Sequence, residues 1–279
     1  MDQLPLISII MPARNAADYI GEAIASLQAQ TWTHWELVVV DNGSTDCTSH
    51  VVESIKDDRI RLIREPEPGV SRARNIALDA ARGEFYCFLD ADDILPPESL
   101  RSRAEILLRS PATFFVDGSV MQMNHFSREL VHIFTPTYTG IPFDRLLQIS
   151  NSVFFGLTWM IRRTSATDVR FPIHMKHAED LAFYLSMARS GKYDHTSEVV
   201  LHYRKGHGSA MSNLQGLWLG YKQLYQWATA LRPSPEPEQL DELWARIKRI
   251  MFRSFLKFGR PYSALLVWSS RVPARIELK

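Results

Sequence analysis

Apolar positions along the chain switch repeatedly between two spacings. Residues 6–12, LISIIMP, form a short continuous apolar run, the pattern of a strand buried on both faces. Ile20, Ala23, Ile24 and Leu27 then recur at helical spacing and share one face. WELVVVD (35–41) predicts a second buried strand, and residues 45–56 a helix capped by Ser44 or Thr45. RIRLIRE (59–65) alternates and predicts a more exposed strand. VSRARNIALDAARG (70–83) predicts a helix closed by Gly83, and a fourth strand follows over 84–89. Pro96 and Pro97 open another helix, with Leu100, Ala104, Leu107 and Leu108 on one stripe.

This succession predicts an α/β fold: a Rossmann-like, mostly parallel sheet with helices on both faces. In such sheets ligands bind outside the carboxyl ends of the strands. The second half is less regular. TFFVDGSVMQM and ELVHIFTPTY read as strands of a hairpin, and FGLTWMIRR (155–163) and SEVVLHYR (197–204) as further strands. EDLAFYLSMARSG (179–191) predicts a helix with Leu181, Leu185 and Ala188 inward and Gly191 at its end. From Asn213 onward the pattern is helical, interrupted by a linker or turn, RPSPEPEQ, at 232–239.

Composition narrows the class. Of 279 residues, 46% are hydrophobic and 23% charged, which predicts a globular fold rather than disorder. The formal net charge of +1 selects no partner, but Trp244–Lys279 holds many Lys and Arg and a single acid, Glu277. Cys47 and Cys87 form neither a metal-spaced pair nor a disulfide framework, so a reducing, cytoplasmic setting is expected. MDQLPLISII has no basic segment of the kind that opens a signal peptide, and no apolar run approaches the length of a membrane span.

The chemistry concentrates where buried strands end. ELVVV runs into Asp41, and FYCFL runs into Asp90, Asp92 and Asp93. A lone Asp after a strand commonly makes a turn or caps a helix, which is an equally good reading of Asp41. Three crowded carboxylates repel one another, and a hard divalent cation such as Mn²⁺ or Mg²⁺ relieves that repulsion. Such an ion takes one or two carboxylates and completes its shell with substrate phosphates. The chain lacks the G-x-x-x-x-G-K phosphate loop, and PARNAAD after the first strand lacks the glycine-rich dinucleotide fingerprint. Metal on carboxylates, helped by Arg, is the remaining way to hold a diphosphate.

SIIMPARNAADYIGEAIASLQAQTWTHWELVVVDNGSTDCT followed by GVSRARNIALDAARGEFYCFLDADD resembles family 2 glycosyltransferases, enzymes with a nucleotide-diphospho-sugar-binding fold of GT-A type. The resemblance is ordered and properly spaced over residues 6–110 and extends more loosely to about 212. It implies a nucleotide-sugar-binding half at 1–110, an acceptor-binding half at 111–212 and a C-terminal helical region at 213–279. By resemblance, Pro12, Ala13, Arg14 and Asn15 line the nucleotide base, and Asp41 bonds it. Arg74 falls near nucleotide and phosphate. Asp90, Ala91 and Asp92 match the D-x-D signature for ribose and metal-diphosphate, with Asp92 favoured for the metal and Asp93 as ligand or support.

Glycosyl transfer with inversion needs a general base on the acceptor hydroxyl. The family places it in an E-D pair opening a helix, here Glu179 and Asp180, with Asp180 as base and Glu179 binding acceptor. Acids in a first helical turn are also favoured by the helix macrodipole, which explains both without catalysis and would lower their pKa. HYRKGHGSAMS (202–212) resembles the segment that approaches the diphosphate or metal, making His202, Arg204 and His207 candidates, Arg204 for diphosphate and His207 for metal.

The resemblance thus implies a transferase moving sugar from a nucleoside-diphosphate sugar, UDP favoured, to a glycan or lipid-linked acceptor of cell-surface polysaccharide synthesis. Two alternatives stand beside it: a sugar-phosphate nucleotidyltransferase and a non-catalytic binder of sugar nucleotides. The basic, amphipathic stretch within 240–273 predicts either a packed helix with a solvated basic face or contact with the anionic inner face of a membrane. No nucleic-acid reader motif is present.

Overall fold

Eight strands form one sheet in the order β3-β2-β1-β4-β7-β5-β6, with β8 paired alongside β5. The computed structural model describes residues 4–124, 129–205 and 213–273. The first half alternates strand and helix: β1 (Ile7–Ala13), α1 (Ile20–Gln28), β2 (Trp35–Asp41), α2 (Thr48–Ser54), β3 (Ile60–Arg64), α3 (Val70–Ala80), β4 (Phe85–Phe88) and α4 (Ser99–Arg109). β1 pairs in parallel with both β2 and β4, and β2 with β3. The second half adds β5 (Thr113–Asn124), β6 (Leu130–Phe134), α5 (Phe143–Leu147), β7 (Met160–Arg162), α6 (Glu179–Met187) and β8 (Lys192–Lys205). β7 inserts antiparallel between β4 and β5, β6 closes the expected hairpin on β5, and β8 runs parallel to β5. Helices α7 (Leu214–Ala230), α8 (Pro237–Lys257) and α9 (Pro261–Trp268) follow.

The continuous apolar runs are strands buried on both faces. Ile7, Ile9, Met11, Leu37, Val39, Phe85 and Cys87 point to one apolar cluster beneath α1, α2 and α4. Ile10, Val38, Val40, Tyr86 and Phe88 point to the other, which also takes the apolar faces of α3 and α5–α9. Period-two side-chain alternation thus feeds two cores from the same strands. The parallel strands β1, β2 and β4 end at one edge of the sheet, which places Asn15, Asp41 and Asp90 together there.

Several local expectations change. Ser44 and Thr45 do not cap α2, which starts at Thr48. They tie instead to Asn15: its N–H donates to Ser44 Oγ, and its Oδ1 accepts from Thr45 N–H. Asp46 organises the helix start, accepting from Thr48 N–H at 3.0 Å and from Ala17 N–H at 3.1 Å. Gly83 does not close α3, which stops at Ala80. It is required because its α-carbon lies against backbone: an added Cβ would sit 2.6 Å from Leu6 O and Ser8 N. Leu108 is exposed while Leu100, Ala104 and Leu107 are buried. Only Met160–Arg162 of the 155–163 stretch is strand.

For residues 240–260 the structure selects the packed helix of the two readings. Leu243, Trp244, Ile247, Met251 and Phe255 of α8 are buried in the same core as Trp159 and Tyr184, so this apolar face is not free for a membrane. The exposed apolar side chains lie further on, at Leu256, Phe258, Tyr262, Leu265, Leu266 and Trp268. Among the described residues no helix is long and apolar enough to cross a membrane.

Candidate active site

A cleft of about 700 Å³ opens at the carboxyl ends of β1, β2 and β4. Pro12, Ala13, Arg14 and Asn15 form one wall, and Arg74, Asp90, Ala91 and Asp92 form the floor. Eight of the sequence-derived candidates therefore meet there; Asp41, Asp93 and the second-half residues do not line it. Asn15 adopts a left-handed backbone, φ 50°, which Asn tolerates better than most residues. That turn lets its side chain lock the first loop to the loop after β2.

Asp41 follows its turn reading. It is buried, its Oδ1 accepts from Ser44 N–H at 3.0 Å, and Ser49 Oγ donates to its Oδ2. Its neighbour Asn42 lines the cleft instead, held by Glu67 O and Gly69 N–H. The sequence offered no signal for Asn42 beyond its position after a strand.

Arg74 is 6% exposed and joins two acids that are distant in sequence. Its guanidinium donates to Asp90 Oδ1 at 3.2 Å and to Glu179 Oε1 at 3.1 Å. Phe171 packs beneath it, 5.4 Å from ring centroid to guanidinium. Asp90 opens to the cleft, its side chain about half exposed. Desolvation raises its pKa, the Arg74 charge opposes this, and Asp92 and Glu179 add to the rise.

Asp93 departs from expectation. It is 3% exposed, turned away from the cleft, and accepts from Arg204 N–H at 2.9 Å. Burial, with Asp90 and Asp92 close by, pushes its carboxyl well above the usual range. Arg204 reaches α1 rather than the cleft, pairing with Glu22 at 2.7 Å. His202 pairs backbone to backbone with Ile94, and burial lowers its pKa. His207 lies outside the described residues.

Among the described residues no three His, Cys, Asp or Glu side chains group to hold a metal. This donor set still fits an Mg²⁺ or Mn²⁺ that takes one or two carboxylates and completes its shell with phosphate. Asp92 lines the cleft beside Asp90, whose carboxylate is paired with Arg74.

A smaller pocket of about 210 Å³ adjoins the cleft, and Lys176 lines both. Phe154, Phe155, His177, Leu217 and Tyr221 surround Glu179 and Asp180 there. Ala178 carries a left-handed backbone, φ 59°, just ahead of α6. His177 fits against α7 because Gly216 and Gly220 have no side chains; a Cβ on either would lie about 2.6 Å or less from His177 atoms. Two glycines four apart on a helix were the sequence signal for this close approach.

The helix macrodipole does not set the Asp180 pKa. Its Oδ1 accepts from Leu181 N–H at 2.7 Å, which favours the anion. Desolvation outweighs that bond, the Glu179 charge adds to it, and the carboxyl is pushed up to about 7. A carboxylate poised near neutrality is suited to accepting a proton.

Residues 8–170 match the family model described as Glycosyl transferase family 2. The chain is 33% identical over 211 residues to the UDP-Glc:alpha-D-GlcNAc-diphosphoundecaprenol beta-1,3-glucosyltransferase WfgD of Escherichia coli, covering 75% of this chain and 80% of that protein. It is 29% identical over 239 residues to the putative teichuronic acid biosynthesis glycosyltransferase TuaG of Bacillus subtilis, covering 79% and 88%. The crystal structure of S. aureus TarS 1–349 superposes with a TM-score of 0.69 at 21% identity, covering 96% of this chain and 81% of that one, a likeness of fold. The sheet, the acid-floored cleft and these matches agree: the chain belongs to glycosyl transferase family 2 and is a glycosyltransferase enzyme, not a nucleotidyltransferase or a non-catalytic binder.

Proposed function

We propose that the protein transfers a sugar from a UDP-sugar to a hydroxyl of a lipid-linked or polysaccharide acceptor, with inversion and with a divalent metal. The observation that carries this reading is Arg74, which binds Asp90 of the larger cleft and Glu179 of the smaller pocket and so joins the two into one reaction centre. The larger cleft takes the nucleoside diphosphate, with Pro12–Asn15 and Asn42 against the nucleoside. The smaller pocket takes the acceptor sugar, on Phe154, Phe155 and Tyr221.

Asp92, with Asp90 beside it, would hold the metal, which when bound neutralises the leaving diphosphate. Asp93 props the loop from behind through Arg204 N–H. Asp180 accepts the proton of the attacking hydroxyl. The new bond forms from that oxygen to the anomeric carbon as the carbon–oxygen bond to the diphosphate breaks, and the electron pair leaves with the nucleoside diphosphate. Attack opposite the leaving group inverts the centre, and no covalent enzyme intermediate is needed. Burial that lifts Asp180 to about 7 suits it to this role.

The donor and acceptor classes are supported by the E. coli relative WfgD, whose name states UDP-Glc and a diphosphoundecaprenol-linked acceptor. The metal is supported by a Pyrobaculum calidifontis mannosyltransferase of similar fold, TM-score 0.65, solved with GDP-Man and Mn²⁺. A cytoplasmic enzyme bound peripherally to the inner membrane face fits such an acceptor, through α9 rather than α8. The test is a donor screen that reads nucleoside diphosphate release with and without Mn²⁺ or Mg²⁺. Release from a UDP-sugar that depends on acceptor supports the reading, and inactivity with every UDP-sugar overturns it.

A further inference from the structure

A second polar pocket lies beyond the acceptor pocket, between α8 and the segment that follows α5. Gln148, Ser150, Asn151, Glu242, Arg246 and Arg249 line it. Residues 242, 246 and 249 share one face of α8, opposite its buried stripe. Arg246 Nη2 reaches Ile149 O at 3.4 Å, and its buried Nε has no hydrogen-bond partner. Among the described residues neither arginine is in an ion pair, although Glu242 stands four residues before Arg246. Two guanidinium groups against one carboxylate leave the pocket net positive, with amide and hydroxyl donors opposite. This is the chemistry of a phosphate or diphosphate site.

The pocket adjoins the proposed reaction centre. One short segment serves both places: Ser150 and Asn151 face the arginines, and Phe154 and Phe155 face Asp180. Tyr221 also links them, since it lines the acceptor pocket and lies within electrostatic reach of both Asp180 and Arg246. In the other direction the basic face of α8 continues through Arg253 and Lys257 toward the exposed apolar side chains of α9. Three zones therefore follow one another: a pocket with a proton acceptor, a cationic pocket and an exposed apolar patch. A glycosyl diphosphate lipid presents its hydroxyl, diphosphate and hydrocarbon in that same order.

We propose that the pocket of Arg246 and Arg249 binds the diphosphate of a lipid-diphosphate-linked acceptor and thereby selects such acceptors over free glycans. This rests on the acceptor class given under Proposed function and adds the residues that recognise its diphosphate. Arg246 and Arg249 take no part in bond making; they lower the acceptor KM by holding its diphosphate.

Two measurements on the full chain test it. Inorganic pyrophosphate titrated calorimetrically in the presence of chelator is expected to fill a saturable site. Its affinity should fall about tenfold or more in Arg246→Gln/Arg249→Gln, from the loss of two charge-assisted contacts. It should be largely kept in Arg246→Lys/Arg249→Lys and unchanged in Asp92→Asn. Unaltered pyrophosphate affinity in the Gln pair overturns the proposal. Arg249→Gln alone, which removes a side chain that bonds to its own helix at Ala245 O, checks that any loss is not misfolding.

The second measurement compares short-chain N-acetylglucosaminyl diphosphate esters with phosphate-free glycosides of the same sugar as acceptors. The wild type should favour the diphosphate through KM, and the Gln pair should lose that advantage with kcat little changed. Equal use of both acceptors by the wild type overturns the proposal even where pyrophosphate binds. Loss of binding to phosphatidylglycerol vesicles with pyrophosphate affinity intact would assign the arginines to lipid headgroups and also overturn it. No transfer to any acceptor from any UDP-sugar refutes the function itself, while the titration still decides whether the anion site exists.

Discussion

Arg74 on α3 donates to Glu179 at the start of α6, across 105 residues of sequence. The same guanidinium holds Asp90 at the end of β4. A buried cation shared by two acids ties the floor of the larger cleft to the wall of the smaller pocket. Lys carries the charge but cannot fork between two carboxylates as the planar guanidinium does. Arg74→Lys is therefore expected to fold, keep donor binding and lose about tenfold or more in kcat, the effect of misplacing reacting groups by a fraction of an ångström. Wild-type kcat in Arg74→Lys would show that the bridge does not position the site.

Charge makes a separate statement. Arg74 lowers the Asp180 pKa, against the burial and the Glu179 charge that raise it to about 7. If Asp180 is the base, kcat/KM rises with pH and levels off above about 7 in the wild type, because the free enzyme must hold the carboxylate form. Arg74→Gln removes the cation, so its limb should move to higher pH. An unmoved limb would detach the titration from this pair.

The same group sets a stability trend. The folded-state pKa of Asp180 lies above its ordinary value of 3.8, so between 3.8 and about 7 the folded chain binds more protons than the unfolded chain. Stability attributable to this residue is present at low pH and is lost as pH rises through about 7. Asp180→Asn should therefore be more stable than wild type at pH 8.5 and lose that advantage near pH 5, while donor binding survives and transfer is abolished. Denaturant midpoints at the two pH values check the trend, and full transfer by Asp180→Asn would sink the base assignment.

Removal of the divalent ion offers a further check. Asp92 faces the larger cleft, whereas Asp93 is turned inward onto Arg204 N–H. Asp92→Ala and chelator treatment should each reduce turnover by a hundredfold or more, on the order of the electrostatic stabilisation such sites supply. Only the chelated wild type should recover on Mn²⁺ addition. Asp93→Asn, by contrast, keeps an acceptor for Arg204 N–H and should retain metal-dependent turnover. Wild-type activity in chelator would refute metal use.

The succession of strands was readable because a strand covered on both faces is a continuous apolar run, and the acids after β4 stood out against it. What each acid does was not readable. Asp92 and Asp93 are adjacent, and only the path of the backbone decides that one faces the cleft while the other bonds Arg204. The Asp180 pKa depended on a competition between helix dipole and burial, and burial is a property of the folded chain. The α8 stripe left two readings open, a packed helix or a membrane face, because an amphipathic pattern does not reveal what covers it; Trp244 and Met251 pack on the protein's own core. Tyr221 was missed because it belongs to no local motif, and His177 was signalled only indirectly, by the glycine pair at 216 and 220 that it packs on.

Gly83 gives a stability test of an element whose role changed. Its α-carbon is pressed on Leu6 O, Ser8 N and Phe85 O, all backbone atoms that have no flexible end to swing away. The adjoining network, Ser8 Oγ to Glu36 and Gly83 N–H to Ser8 Oγ, is buried and would be disturbed too. Gly83→Ala is expected to cost about 2–3 kcal/mol, as overpacking does. Gly156→Ala, where an added Cβ meets nothing within 4 Å, should stay within about 0.5 kcal/mol. Urea midpoints at unchanged m-value compare the two.

The membrane reading now rests on α9. Tyr262, Leu265, Leu266 and Trp268 are each more than half exposed, and Lys248 lies 5.9 Å from the Trp268 ring with Arg249, Arg253, Lys257 and Arg260 along the same end of the protein. Exposed apolar residues bordered by cations match an anionic bilayer surface, where buried apolar area and charge attraction add. The protein should therefore sediment with phosphatidylglycerol vesicles and not with phosphatidylcholine vesicles, and release as salt rises. Leu265→Gln/Leu266→Gln should weaken that binding with stability unchanged, because both side chains already face solvent. Ile247→Ala and Met251→Ala, in the buried α8 stripe, should cost about 2–5 kcal/mol of stability and leave vesicle binding by the folded fraction intact. Binding that is lost with the α8 variants but kept with the α9 pair would return the membrane face to α8 and require that helix to leave the core.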